Sequence, residues 1–252
     1  MVKLMKKERK YKNRFLIDLY LGHMLQKSTI IVFSISLIFI LICSYLVTNP
    51  WLNKIDYIIS PSDFHSLYMN QIVIIIQIFN CIITATLIIN LTIQSASFDI
   101  LYVSYISRRK LCICKLLSLI LVLISLALIE TIIIYFVGYL VYNKFYFNYE
   151  IIYSGIYILL SMLWNSLLSI TLTTIIPIIF VPMAILLLNI IIIILANNIK
   201  TIGDGMSSII PILNFSDNNN LIKMDNPLVI FTLILLLGFL YISIYEVKDL
   251  KN

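Results

Sequence analysis

The chain has 252 residues, of which 61% are hydrophobic and 12% charged, with a formal net charge of +6 and a mean hydropathy of +1.03. A soluble domain of this size carries about 25% charged residues, and the deficit falls in long uncharged stretches near the ~20 apolar residues that cross a bilayer. A soluble globular protein is excluded. The expectation is an all-α polytopic membrane protein, a single transmembrane domain over residues 1–252.

The chain opens with a basic segment. From Lys6 to Lys27, Tyr11, Phe15, Leu16, Leu19, Tyr20 and Met24 recur at three- and four-residue steps, while Lys10, Arg14, Asp18 and Gln26 take other faces. This pattern predicts an amphipathic helix lying in the inner membrane interface beside anionic lipid. A plain topology-setting basic flank accounts for the same cations. The first apolar run, Ser28–Val47, ends in Thr48-Asn49-Pro50 rather than a small-x-small cleavage site, so it is expected to remain as a signal anchor.

Five further spans follow: Ile72–Ile93, Leu116–Val141, Ile151–Leu172, Ile175–Leu195 and Leu228–Tyr245. The fourth and fifth are one continuous apolar run of 46 residues, Ile151 to Ala196. As a single helix it would run about 69 Å, over twice the ~30 Å hydrocarbon thickness, so the chain must turn back. The expected place is Thr171, Thr173, Thr174 and Pro177, since proline suits the first turn of a new helix. Pro177 and Pro182 are expected to bend the fifth span.

Charge fixes the orientation. With the N-terminus inside, 14 of the 18 Lys/Arg fall on cytoplasmic segments and Lys54, Lys144, Lys200 and Lys223 fall outside, as the positive-inside rule requires. Six spans then place both ends inside. Between the outer ends, Thr48 to Gln71 holds Trp51, Tyr57, Pro61 and Tyr68, suited to an aromatic interface belt. Ala196 to Pro227 holds Met206 to Leu213, too short to cross and read as a re-entrant piece.

Catalytic constellations are missing from the sequence. His23 and His65 fall on opposite sides of the membrane, which prevents a two-histidine metal site or a Ser-His-Asp arrangement within one chain. No H-E-x-x-H, G-x-S-x-G or G-x-x-x-x-G-K-[ST] occurs. The chain is therefore expected to be neither an enzyme nor a direct ATP binder, with no metal or cofactor of its own. Cys43 and Cys81 lie in spans, and Cys112 and Cys114 lie on the reducing cytoplasmic side, where a lone C-x-C is a poor zinc site.

The one charge deep in a span is Glu130, about 21 Å along the third span from Leu116. A carboxyl group at that depth is expected to be protonated or paired and to face protein or water. Asn80 and Asn189 are the candidate partners at comparable depth, and the three together are the candidate translocation-path residues. A helix–helix hydrogen bond is the structural alternative. Gln77, Asn90 and Asn165 read as packing contacts between helices.

The most informative segment lies between the second and third spans, Ala96 to Leu117. It sets Phe98, Leu101, Tyr102 and Tyr105 beside the cations Arg108, Arg109 and Lys110, with Lys115 at the start of the next span. A stop-transfer flank explains the cations but not the aromatic knobs, so the loop over residues 94–115 reads as a docking element for a soluble partner.

At this segment the chain resembles permease subunits of the type-2 ABC exporters, whose cytoplasmic loop between spans two and three reads approximately G-T-l-e-x-L-L-x-x-P-x-S-R, then Lys. Ser107, Arg108 and Lys115 match, and Asp99 substitutes for Glu. Ala96 and Tyr105 depart from the usual Gly and Pro. The connecting helix, the six spans and the loop before the last span also look like that family. The resemblance implies a coupling loop in which Phe98, Asp99, Leu101, Tyr102, Tyr105, Ser107, Arg108, Arg109, Lys110 and Lys115 meet separate ABC ATPase subunits that use Mg-ATP. It further implies a second permease subunit, a bacterial plasma membrane, lipid contacts and no nucleic acid. The implied function is ATP-driven export of an amphipathic or lipophilic cargo such as a peptide, toxin or drug. A stand-alone secondary transporter or channel using Glu130, or a membrane scaffold or sensor, are the rival expectations.

Overall fold

The structure, a computed structural model, describes residues 14–48, 61–96, 99, 106–142, 149–198 and 227–247. They are almost entirely helical, without strands among the described residues. The helices are α1 (Arg14–Met24), α2 (Lys27–Thr48), α3 (Pro61–Ile89), α4 (Arg108–Tyr142), α5 (Tyr149–Ile175), α6 (Phe180–Asn198) and α7 (Pro227–Val247). Among the described residues four helices are long and apolar enough to cross a membrane: α3, α4, α5 and α7. A fifth joins them if α1 and α2, bent by 60° at their junction, are taken together.

Both faces of these helices are apolar, as expected for elements packed against protein on one side and hydrocarbon on the other. In α4 the inward stripe Leu111, Lys115, Ser118, Leu119, Val122, Leu126 and Glu130 alternates with outward Ile113, Leu117, Leu121, Ile124 and Leu128. The three- and four-residue steps are those of one helical face. α5 is central, packing on α3, α4, α6 and α7, while α3 also meets α2 and α6.

The helix limits correct several expectations. α3 begins at Pro61, so residues 61–71 are helix rather than outer loop; proline at the first position loses no intrahelical donor. α4 begins at Arg108, which turns the basic cluster into a helical first turn rather than a loop. Ser107 is its N-cap residue, the carbonyl receiving Lys110 N–H (3.0 Å) and Leu111 N–H (3.2 Å). The chain reverses at residues 176–179, which takes in the expected Pro177 but not the threonines. Thr171, Thr173 and Thr174 stay in α5, each donating its hydroxyl to a carbonyl of its own helix at 2.6–2.7 Å. Pro182 lies in the first turn of α6, where it displaces no i−4 bond and needs no bend.

The amphipathic expectation holds for α1, with a different inner face. Leu16, Tyr20 and Met24 are buried, whereas Phe15 is 55% exposed. α1 lies against α4 at Ser118, whose hydroxyl is 3.2 Å from Ile17 O and shares its single proton with Cys114 O of its own helix at 2.8 Å. At the bend to α2, Asn90 Nδ2 donates to Thr29 Oγ1 at 2.8 Å and Ser28 Oγ at 3.3 Å. Asn90 opens a π-helical turn, Asn90–Gln94, that continues α3; such wide turns interrupt α-helices where a local packing demand outweighs regular geometry.

Candidate functional site: a buried ionic junction at the helix ends

Asp99 follows α3 by a single turn, its N–H bonded to Ser95 O at 3.0 Å. Its side chain is almost fully buried, as is that of Lys115 in the second turn of α4, and the two form an ion pair. Two phenols complete the site. Tyr20 of α1 donates its hydroxyl to Asp99 Oδ1 at 2.8 Å, and Tyr245 of α7 donates to Oδ2 at 3.1 Å. The ammonium of Lys115 also stands 5.3 Å from the Tyr20 ring centroid and 5.4 Å from that of Tyr245, within cation–π range.

This arrangement answers the cost of burial. Removing two charges from water costs several kcal/mol per ion, offset only when the remaining lone pairs and protons find partners. Here the carboxylate accepts from three donors, and the ammonium is flanked by two aromatic faces. Burial, followed by the neighbouring Asp99 carboxylate, pushes the Tyr20 hydroxyl well above its ordinary pKa, so it remains a donor throughout the neutral range. The result is a rigid tie among α1, α4, α7 and the segment after α3.

A second, exposed contact lies beside it. Arg109 Nε is 3.6 Å from Glu246 Oε1, and Arg108 Nη1 donates to Glu246 O at 3.5 Å. Cations at the start of α4 oppose its macrodipole, but the same groups meet the carbonyl end of α7, where positive charge is favourable. The exposed ion pair itself contributes little, about 0–1 kcal/mol.

Of the residues assigned to a coupling loop, Ser107, Arg108, Arg109 and Lys110 lie at the start of α4. Asp99 and Lys115 point at each other inside the protein rather than outward. Phe98, Leu101, Tyr102 and Tyr105 lie outside the described residues, as do Tyr11, residues 199–226 with the re-entrant segment, and the tail after Val247. Tyr20 and Tyr245 are the partners that sequence reasoning did not connect to Asp99. The only signal was a phenol at a helix end, which fits an interface belt equally well.

The membrane-depth candidates divide into two contacts. Asn80 Nδ2 of α3 donates to Glu130 Oε2 of α4 at 3.0 Å, with both side chains buried. Asn189 of α6 goes elsewhere, donating to Asn165 Oδ1 of α5 at 2.8 Å, while Asn165 Nδ2 faces Cys81 Sγ of α3 at 3.4 Å. Glu130 is thus tied to α3, and α6 is tied to α5. Among the described residues no three His, Cys, Asp or Glu side chains gather where a metal ion could sit; the polar pairs set out here join helices.

No family model, curated protein or solved structure matches the chain.

Proposed function

We propose that the chain is the membrane-spanning permease subunit of an ATP-driven exporter, with six spans formed by α2 to α7 and both ends in the cytoplasm of a bacterial cell. The observation that carries this reading is the Asp99–Lys115 junction. It clamps the segment after α3 to α1, α4 and α7, so that a force applied to residues 97–107 reaches three helices at once. A docking loop for a motor protein requires such an anchorage, because a loosely held loop would yield without moving the spans.

In this reading the ATPase meets Arg108, Arg109, Lys110 and the aromatic residues Phe98, Leu101, Tyr102 and Tyr105. Arginine forks are well suited to acidic groups on a partner. A second permease copy or homologue completes the pathway, and the nearly uncharged spans suit an amphipathic or lipophilic cargo. Mg-ATP belongs to the partner. The test is affinity purification of the tagged chain from native membranes, beside Arg108→Glu/Arg109→Glu. A Walker-motif ATPase recovered with the wild type and lost or weakened in the variant supports the reading. Absence of any ATPase with an intact wild-type chain rejects it.

One observation favours a second reading, a secondary transporter. Glu130 is a fully buried carboxyl within α4, the kind of group that marks ion pathways in membranes. Transport that survives Glu130→Gln with folding intact leaves this residue the structural role alone.

A further inference from the structure

Among the described residues two carboxyl groups are buried, Asp99 and Glu130, and their surroundings are opposite. Asp99 accepts from two phenols and pairs with the ammonium of Lys115. Glu130 has one described donor, Asn80 Nδ2 of α3, which reaches Oε2 at 3.0 Å. Its other oxygen, Oε1, and Asn80 Oδ1 are both buried without a hydrogen-bond partner among the described residues.

The helices around Glu130 bring no cation to it. α4 packs on α2, α5 and α7, and α3 packs on α2, α5 and α6. Helices α3, α5, α6 and α7 contain no Lys or Arg, and α2 has only Lys27, exposed at its first residue. Lys115 is about 22 Å back along α4 and already pairs with Asp99. The titratable side chains near this level are thiols and a phenol, none of which supplies positive charge. Cys81 follows Asn80 in α3, and Cys43 of α2 lies one turn beyond Phe39, whose ring meets Phe79. Tyr157 of α5 stands two residues beyond Gly155, which faces Thr131 of α4.

The balance of donors and acceptors favours a neutral acid. An ionised Glu130 offers acceptors only, and a buried charge with no opposite charge beside it takes up a proton rather than persist. A proton on Oε1 turns that oxygen from an acceptor without a donor into a donor. Asn80 Oδ1, on the amide that already holds Oε2, then has a proton to accept. A primary amide and a carboxylic acid match in this way through two parallel hydrogen bonds, with no net charge on either group.

We infer that Glu130 holds a resident proton on Oε1 and closes a neutral two-bond ring with Asn80, so that α3 and α4 are joined by an amide–acid pair. The proton comes from water, and no other group changes charge. The inference rests on this contact alone and on neither reading of the protein's function.

The experiment is infrared spectroscopy of the full-length chain at pH 7 in a maltoside detergent, which contributes no carbonyl band. Exposed carboxyl groups are ionised at that pH, and carboxylates absorb apart from carboxylic acids. The wild type should show one acid carbonyl band per chain, and Glu130→Gln should lose it. Asn80→Leu removes the amide from the ring, so the band should leave its wild-type frequency. A wild-type spectrum without an acid band overturns the inference whether or not the variants fold, because Glu130 is then ionised and held by a water or a cation. A band that survives Glu130→Gln belongs to another residue and overturns it too. A band that Asn80→Leu leaves in place shows that no ring is formed, with the same consequence.

Discussion

Asp99 and Lys115 are 16 residues apart in sequence, yet they pair inside the protein, although the sequence presents them as parts of one exposed basic loop. The pair takes the place of two outward-pointing docking charges. The buried pair ties Asp99 to the second turn of α4, next to Arg108, Arg109 and Lys110.

Removing one member of the pair should therefore be far worse than removing both. Lys115→Met or Asp99→Asn alone should lower stability by about 3–5 kcal/mol, because each leaves an uncompensated buried group. The double variant should recover much of that loss. Thermal unfolding in detergent of the four species, read as a double-mutant cycle, gives the coupling directly; additive losses would show that the two side chains do not share one site.

The two phenols should behave as donors first and as packing second. Tyr20→Phe and Tyr245→Phe keep the rings beside Lys115 and remove one hydrogen bond each to a carboxylate, at a cost of about 1.5–3 kcal/mol. Alanine at either position should cost more, since the aromatic faces are lost as well. Equal losses for Phe and Ala would assign the whole effect to the hydroxyl.

Asn80 is the only described donor to Glu130. Asn80→Leu should destabilise the bundle by about 0.6–2 kcal/mol, the range of interhelical hydrogen bonds in membranes and of buried groups left unpaired. Glu130→Gln should be tolerated within about 1 kcal/mol because its carbonyl still accepts from Asn80. The comparison is made by unfolding in detergent, and a large loss for Gln would show that the acid itself is required.

Gly155 marks the tight contact of α4 with α5. A Cβ there would lie 2.8 Å from Thr131 Oγ1 and 3.2 Å from its Cγ2. Thr131 cannot swing aside without giving up its bond to Ala127 O at 2.7 Å. Gly155→Ala should then cost about 1–3 kcal/mol, the usual penalty for overpacking, and Gly155→Ala/Thr131→Ala should regain most of it. A silent Gly155→Ala would mean the two helices can separate freely.

How much of this was legible in the chain depends on distance along it. Hydropathy placed each long helix, because a run such as Leu228–Tyr245 needs only its own residues to be recognised. It failed at polar flanks: Arg108 and Pro61 are helical although neither belongs to an apolar run. It placed the reversal after α5 correctly at Pro177 but extended it back into the threonines, which bond inward and stay helical. Asn80 and Glu130 were legible as a pair because a buried carboxyl group has few candidate partners at its own depth. The Tyr245–Asp99 bond spans 146 residues, and nothing local to either residue announces it.

That separation bears on how the protein is made. By the time Lys115 has been synthesised, Tyr20, Asp99 and Lys115 are all present, but the last donor is 130 residues away. At about 5–20 residues per second, the ionic centre waits on the order of ten seconds with one side open until α7 arrives. Insertion of α7 thus acts as a latch on the nascent chain. A chain halted before it would carry its charge pair with one side of the carboxylate left without its last donor.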